Sequence, residues 1–152
     1  MKDQYDVIIV GSGAGAMTAA ITAHDAGLDV VVIEKSDKFG GTSALSGGGI
    51  WIPNNHFFKR KGGKDSLALA REYLQAATRG EVSDARIEAY LNKAPEMIKY
   101  LDDNTQVSYA VAAEYPDYYP HLPGFLAGGR TLDPELYDSD KLGEHLPELR
   151  MA

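Results

Sequence analysis

Residues 5–35 of this 152-residue chain read YDVIIVGSGAGAMTAAITAHDAGLDVVVIEK. Tyr5–Val10 and Asp29–Ile33 are short β-branched runs, which are typical of strands buried on both faces of a parallel sheet. Between them, Ala14–Ala26 is rich in alanine and stops at Gly27, a pattern that favours a helix with a glycine C-cap. The stretch therefore predicts a strand, a helix and a second parallel strand, joined by a right-handed crossover.

The turn between the first strand and the helix, residues 11–16, matches the pattern G-x-G-x-x-G/A. Gly11 allows a tight turn, Gly13 lets the backbone approach a pyrophosphate, and Ala16 is small enough for close helix packing. Glu34 ends the second strand, where a carboxylate accepts hydrogen bonds from an adenosine ribose and disfavours a 2′-phosphate. This context predicts an α/β, Rossmann-like dinucleotide-binding unit. A purely structural glycine turn is the alternative interpretation.

A glycine-rich loop follows, with the sequence DKFGGTSALSGGGIWI at residues 37–52. Its glycines expose backbone amides, and its hydroxyl side chains can donate to phosphate or to ring heteroatoms. The fingerprint leaves both FAD and NAD open. The loop favours a large, flat cofactor that lies across it.

The rest of the chain predicts mainly helices. Ser66–Thr78 has apolar residues at helical spacing and should end at Gly80. A second helix should begin after Ser83, and Pro95 should kink or split it. Val107–Ala113 should form a strand. Two less regular segments follow: residues 115–124 contain three prolines and should be extended or turn, and residues 140–149 are a short candidate helix.

Composition limits the possible functions. The formal net charge of -7 and the pI near 5.0 argue against a nucleic-acid partner. The chain has no cysteine, which excludes disulfides and thiolate metal sites, and its four histidines lack ligand-like spacing. No metal site and no transmembrane segment are predicted. We expect a cytoplasmic location, with peripheral membrane contact as the alternative.

Four stretches resemble a known family of flavoproteins, which includes the fumarate reductases and the 3-ketosteroid Δ1-dehydrogenases. They are YDVIIVGSGAGAMTAA at 5–20, VVIEKSDKFGGTSALSGGGIWIPNN at 31–55, PDYYP at 116–120 and, more weakly, KLGEHL at 141–146. The segment SGGGIWIPNN is more similar to the ketosteroid dehydrogenases. Members of the family are several hundred residues long, so the chain resembles an N-terminal fragment whose remaining part belongs to the same or a separate chain.

The resemblance implies an incomplete FAD-binding domain over 1–152, with the β-α-β unit at 5–34, a flavin loop at 37–53, a helical segment at 65–103 and a segment near the active site at 107–130. It implies non-covalent FAD, and the expected cofactor-binding residues are Gly11, Gly13, Ala14, Gly15, Glu34, Lys35, Gly41, Thr42, Ser43, Ser46, Gly48 and Gly49. In the family, a steroid 3-ketone loses a proton from C2 to a tyrosine base while C1 passes hydride to flavin N5.

Tyr118 matches a tyrosine of the family's active site, and Tyr119 is the competing position. Without the resemblance, Tyr115, Tyr118 and Tyr119 would be interpreted as packed aromatic residues. A related flavin reductase with a non-steroid substrate, such as an unsaturated dicarboxylate, and a non-catalytic remnant are the alternative functions. Arg130 could bind a phosphate or hold a turn, and the sequence does not distinguish these two roles.

Overall fold

The computed structural model describes residues 2–151, which form two compact units. The first unit contains the residues up to 48 together with those from 137 onward, and the second unit contains 49–136. No helix among the described residues is long and apolar enough to cross a membrane.

The first unit begins with the β-α-β arrangement that the sequence predicts. Strand β1 (Val7–Val10) pairs in parallel with β2 (Val30–Ile33), and helix α1 (Ala14–Asp25) connects them. Gly11 adopts φ +93°, which side chains disfavour, and this lets the chain turn sharply from β1 into α1. The α/β fold class is therefore confirmed.

The end of the chain packs on the glycine-rich loop within the first unit. Phe39 forms a parallel bridge with Leu149, and a 3-10 helix at Ser139–Glu148 precedes that bridge. The sequence predicts an ordinary helix here, but Gly143 has non-helical angles and Pro147 lacks an amide donor. A second, shorter 3-10 helix at Ser43–Leu45 lies inside the loop.

The second unit contains an antiparallel sheet, of which the sequence predicts one strand. Its strands are β3 (Ile50–Trp51), β4 (Tyr109–Val111) and β5 (Thr131–Pro134), in the order β3, β5, β4. The expected strand at 107–113 is present as the shorter β4. The sheet packs in a core of buried apolar residues: Ile52, Ala94, Ile98, Val111 and Leu132.

Three helices complete the second unit: α2 (His56–Arg60), α3 (Leu67–Thr78) and α4 (Asp84–Asn104). Arg79 caps the C-terminus of α3 in the left-handed conformation, with φ 52°, just before Gly80. Helix α4 runs through Pro95 without a break, so the expectation that proline splits it is wrong. Its buried stripe packs along the whole length and offsets the lost hydrogen bond; the stripe consists of Ile87, Leu91, Ala94, Ile98 and Leu101.

Candidate functional site

Ser12 joins three segments of the fingerprint region in the first unit. Its backbone N–H and its hydroxyl donate to Oε2 of Glu34 at 3.0 and 2.5 Å, and its Oγ accepts from the Gly40 N–H at 2.9 Å. Ser12 is buried. The turn after β1, the end of β2 and the glycine-rich loop therefore meet at a single hydroxyl.

The Glu34 carboxylate is held in its charged form. The hydroxyl of Ser12, followed by the backbone N–H of Ser36, lowers the pKa of Glu34, and the Ser36 N–H lies 3.0 Å from Oε1. Oε2 accepts two hydrogen bonds from Ser12 and Oε1 accepts one from Ser36, and the backbone N–H of Lys35 also contributes to the lowered pKa. A carboxylate has about four acceptor positions, so Oε1 can accept a further donor.

The N-terminus of α1 has no side-chain cap from its own N-cap residue. Gly13 is its N-cap, and its first turn contains no acidic side chain. The Ala14 N–H donates to Oγ of Ser43 at 3.0 Å. The next amides, of Gly15 and Ala16, have no partner inside the helix because of their position, and the helix dipole adds positive potential. A Cβ on Gly15 would have nothing within 4 Å, so the space beside it is open.

The remaining predicted cofactor residues are distributed unevenly. Thr42 and Lys35 are exposed in the first unit, and Ser46 Oγ accepts from the Gly48 N–H at 3.1 Å. Gly49 belongs to the second unit, where a Cβ would lie 3.3 Å from Oδ1 of Asp133. The structure therefore brings the fingerprint, Glu34 and the start of the loop, including Gly41 and Ser43, together in one unit.

The residue that sequence reasoning missed in this region is Ser12. The fingerprint treats its position as variable, and the sequence carries no signal for a hydroxyl there. The Ser12 hydroxyl donates a hydrogen bond to a carboxylate and accepts one from a backbone amide. This double role becomes visible only when the glycine-rich loop packs against the fingerprint turn.

A cavity of about 480 Å³ lies within the second unit. Its walls are largely aromatic and apolar, and both tyrosines singled out from the sequence line it. The lining residues are Gly49, Ile50, Trp51, Tyr73, Leu74, Tyr115, Pro116, Asp117, Tyr118, Tyr119, Thr131 and Asp133.

Tyr118 presents its ring to open space at this cavity, with 76% of the residue exposed. The Tyr115 ring meets it edge-on, with ring centroids 6.2 Å apart. A hydrogen bond with the Tyr118 side chain raises the pKa of Tyr115, so the Tyr115 hydroxyl stays protonated. Tyr119 is 50% exposed, and its ring contacts His121 edge-on. Tyr115 and Tyr118 therefore form a phenol pair at the cavity.

A buried arginine holds the loop that carries these tyrosines. Arg130 is 1% exposed; its Nε and Nη2 donate to the two oxygens of Asp65 at 3.0 and 2.8 Å. Its Nη1 donates to Oδ2 of Asp117 at 2.7 Å and to the Gly124 carbonyl at 2.9 Å. Of the two roles that the sequence leaves open, Arg130 therefore performs the structural one.

Asp65 and Asp117 are the residues that sequence reasoning missed in the second unit. Burial raises the pKa of Asp65, but hydrogen bonds from Arg130, Asn54 and Ser66 outweigh it, and the net pKa is lowered. Asp65 lies 65 positions from Arg130 in sequence, so no local pattern connects them.

Trp51 forms part of the cavity wall above Arg130. Its ring centroid lies 6.0 Å from that of Tyr73, its Nε1 donates to Oδ1 of Asp117 at 2.7 Å, and the Arg130 guanidinium lies 5.5 Å from the ring. The indole is therefore fixed by stacking, by a hydrogen bond and by a cation–π contact. A flat, rigid aromatic wall of this kind suits a flat, apolar ligand.

Within residues 2–151, no three histidine, aspartate or glutamate side chains are grouped so as to hold a metal ion. Asp117, an acidic residue of the cavity lining, instead accepts hydrogen bonds from Trp51 and from the buried Arg130.

Comparison with known proteins gives consistent matches along the chain. The FAD binding domain family matches residues 6–152. The crystal structure of 3-ketosteroid delta1-dehydrogenase from Sterolibacterium denitrificans, in complex with 1,4-androstadiene-3,17-dione, is 54% identical with a TM-score of 0.94, over 99% of this chain and 27% of that one.

Two curated proteins are also similar. The 3-oxosteroid 1-dehydrogenase of Comamonas testosteroni is 48% identical over 93% of this chain and 24% of its own length. The 4-oxocyclohexanecarboxylate 2-dehydrogenase of Sinomonas cyclohexanicum is 41% identical over 98% of this chain and 26% of its own length. The chain thus spans about a quarter of the length of the curated relatives that it matches.

Proposed function

Because this chain belongs to the FAD binding domain family, we propose that it supplies the FAD-binding part of an oxidoreductase that acts on CH–CH groups. The proposed reaction is the 1,2-dehydrogenation of 3-ketosteroids. Family membership confirms FAD as the expected cofactor. The division of residues 1–152 into nucleotide, flavin-loop, helical and active-site segments remains part of the proposal.

The first unit has donors and space that fit a dinucleotide. The open N-terminus of α1 offers amides to a pyrophosphate, and Oε1 of Glu34 retains an acceptor position for a ribose hydroxyl. Gly13 lies beside the loop, since a Cβ there would be in van der Waals contact with Oγ of Ser43, at 3.4 Å. The residues proposed to hold FAD are Gly11, Gly13, Ala14, Gly15, Glu34, Lys35, Gly41, Thr42, Ser43, Ser46, Gly48 and Gly49.

The observation that carries the substrate class is the cavity of the second unit. Its volume of about 480 Å³ lies within the common range of about 300–1,000 Å³ for ligand pockets. Among its described lining residues there is no lysine or arginine, whereas Asp117 and Asp133 are acidic. A dicarboxylate finds no arginine or lysine among these lining residues, which are the side chains that normally bind carboxylates. An uncharged, flat ketone fits better than a substrate of the fumarate reductase type.

The chain's own chemical contribution is the handling of a proton. A ketone acidifies its α-carbon, so a dehydrogenase needs a base that receives that proton. We assign this role to Tyr118, either as a phenolate that takes the proton or as a relay that passes its own phenol proton to a neighbouring acceptor, because its phenol is exposed at the cavity. Tyr115 stays protonated and can donate to Tyr118 when Tyr118 carries negative charge. When bound, FAD supplies the two-electron acceptor that the oxidation of a C–C bond requires.

A smaller cyclic ketone is the second candidate substrate. The Sinomonas relative is named for oxidation of 4-oxocyclohexanecarboxylate, which is also a ketone with acidic α-hydrogens. That substrate carries a carboxylate, for which the described cavity offers no basic partner. The cavity therefore favours the steroid. We further propose a cytoplasmic location, and as partner the remainder of the flavoenzyme in the same or a separate chain.

The decisive experiment uses the complete flavoenzyme that contains this chain. It is mixed under anaerobic conditions with a 3-ketosteroid or with 4-oxocyclohexanecarboxylate, and the loss of oxidised-flavin absorbance is followed. We expect rapid bleaching by the steroid alone. Bleaching by the small ketone alone would replace the steroid by the second candidate. Reoxidation of the reduced enzyme by fumarate, without bleaching by either ketone, would favour the reductase type. A folded protein without flavin bands would indicate a non-catalytic remnant.

A further inference from the structure

The backbone around Tyr118 is anchored immediately before and immediately after that residue. On the far side, the Tyr119 N–H donates to the hydroxyl of Tyr73 at 3.1 Å. Tyr73 is buried in α3, and its ring stacks on Trp51. Burial raises the pKa of Tyr73, so this hydroxyl is neutral and can accept the amide near neutral pH.

The anchor on the near side is the Asp117 carboxylate. It accepts from Arg130 Nη1 at 2.7 Å, from Trp51 Nε1 at 2.7 Å and from the Leu126 N–H at 3.0 Å. The Asp117 N–H also donates to the Leu126 carbonyl at 3.0 Å. Asp117 is buried, and its charge is paired with a guanidinium that is itself buried.

Tyr118 is more exposed than the residues on either side: 76% of Tyr118 is exposed, against 5% of Asp117 and 50% of Tyr119. Its ring gains little packing that could fix its position. Apart from the edge-on contact with Tyr115, the location of its phenol depends on the backbone on either side, which the two anchors hold. Proton transfer is sensitive to such placement, because displacement of a reacting group by about 1 Å can cost roughly 100-fold in rate.

We propose that Tyr73 and Asp117 are positioning residues, which hold the Tyr118 peptide so that its phenol meets the substrate. Neither residue is assigned a proton-transfer role. This inference rests on the proposed role of Tyr118. It predicts that removing one anchor slows turnover while FAD content and substrate affinity change little.

The sharpest variant is Tyr73→Phe in the complete flavoenzyme, because it keeps the ring and removes only the hydroxyl. Tyr90→Phe is the matched control: Tyr90 also stacks on Trp51 and donates its hydroxyl to the Trp51 carbonyl, but it makes no contact with the Tyr119 amide. We expect kcat to fall at least about tenfold in Tyr73→Phe, with little change in KM, and to stay near wild type in Tyr90→Phe.

A double-mutant cycle separates positioning from a general structural effect. If Tyr73 acts through Tyr118, Tyr73→Phe should cause little further loss in a Tyr118→Phe background. Equal and additive losses in both backgrounds would overturn the proposal, as would wild-type kcat in Tyr73→Phe. Asp117→Asn, which is isosteric, changes the second anchor and should show the same non-additivity with Tyr118→Phe. It therefore tests the proposal independently of Tyr73→Phe.

The same experiments distinguish an error in the proposed function from an error in this inference. If the wild-type enzyme does not oxidise the 3-ketosteroid but oxidises the smaller ketone, the same cycle is measured with that ketone. If the wild-type enzyme oxidises neither ketone, or if Tyr118→Phe itself is fully active, there is no proton transfer by Tyr118 to position, and the inference is wrong.

Discussion

The Ser12 hydroxyl donates to Oε2 of Glu34 at 2.5 Å, so the fingerprint turn and the end of β2 share one carboxylate. Glu34 therefore has two tasks. Oε2 orders the turn through Ser12, and Oε1 remains available beside the Ser36 amide. A change at Glu34 should affect the preorganisation of the nucleotide site as well as any direct contact with a ribose.

Glu34→Gln should weaken FAD binding by about tenfold while the fold persists. The glutamine side chain is almost the same size, but it has only one acceptor oxygen. It therefore cannot accept hydrogen bonds on one oxygen from Ser12 and on the other from a ribose hydroxyl. The measurement is a fluorescence titration of the deflavinated enzyme with FAD. Glu81→Gln, at an exposed glutamate of the second unit, is the control. An unchanged Kd in Glu34→Gln would remove the ribose assignment.

Tyr118→Phe should slow steroid-dependent flavin reduction by roughly 100-fold or more, because proton transfer by a side chain contributes about 10²–10⁴-fold. FAD content should stay at the wild-type level. The rate is measured anaerobically in the complete enzyme, beside Tyr119→Phe and Tyr109→Phe. Tyr109 lies in β4 against the core and lines no part of the cavity. A larger loss in Tyr119→Phe than in Tyr118→Phe would transfer the role to Tyr119.

Asp65 should make the enzyme sensitive to acid. Its folded pKa is lowered below the reference value of 3.8, so its contribution to stability is fully present above about pH 4 and is lost as the pH falls through the folded pKa. Asp65→Asn should therefore lower the thermal midpoint near neutral pH but reduce the slope of stability against pH below about 4. Thermal unfolding between pH 3 and pH 7, with Asp3→Asn as an exposed control, measures both effects. An identical slope of stability against pH in wild type and Asp65→Asn would show that the pKa of Asp65 does not change on unfolding.

Gly124→Ala should destabilise the loop that carries the tyrosines. Gly124 has φ +73°, and a Cβ there would lie 2.1 Å from the Leu69 carbonyl oxygen. Gly62 has φ +80° but nothing within 4 Å, so Gly62→Ala isolates the backbone strain, which is about 1–2 kcal/mol. We expect a clearly larger fall in thermal midpoint for Gly124→Ala. Equal falls would mean that the loop shifts to accommodate the methyl group.

Local sequence was sufficient for the β-α-β unit and for the two long helices of the second unit, α3 and α4, but not for the short α2. The strands at Val7–Val10 and Val30–Ile33 are continuous β-branched runs, and Gly11 stands where only a residue tolerant of positive φ allows the turn. The buried stripe of α4 follows the helical period, so both signals depend on neighbours a few positions apart. The same local rules predicted a kink or a split at Pro95; the split is absent, because packing along α4 outweighs the loss of one hydrogen bond.

Contacts between distant residues could not be read from the chain. Ile50 and Val111 both pair with Leu132 in a sheet whose strands are too short to show a period. Asp65 and Asp117 pair with Arg130 in the buried interior, where an unpaired charge would be costly. Ser12 reaches Glu34 only when β1 and β2 lie side by side. Sequence periodicity and the glycine fingerprint thus specify the dinucleotide-binding unit, because those signals act over one turn or one strand. The arrangement around Tyr118 depends on the packing of separate elements, which no short stretch encodes.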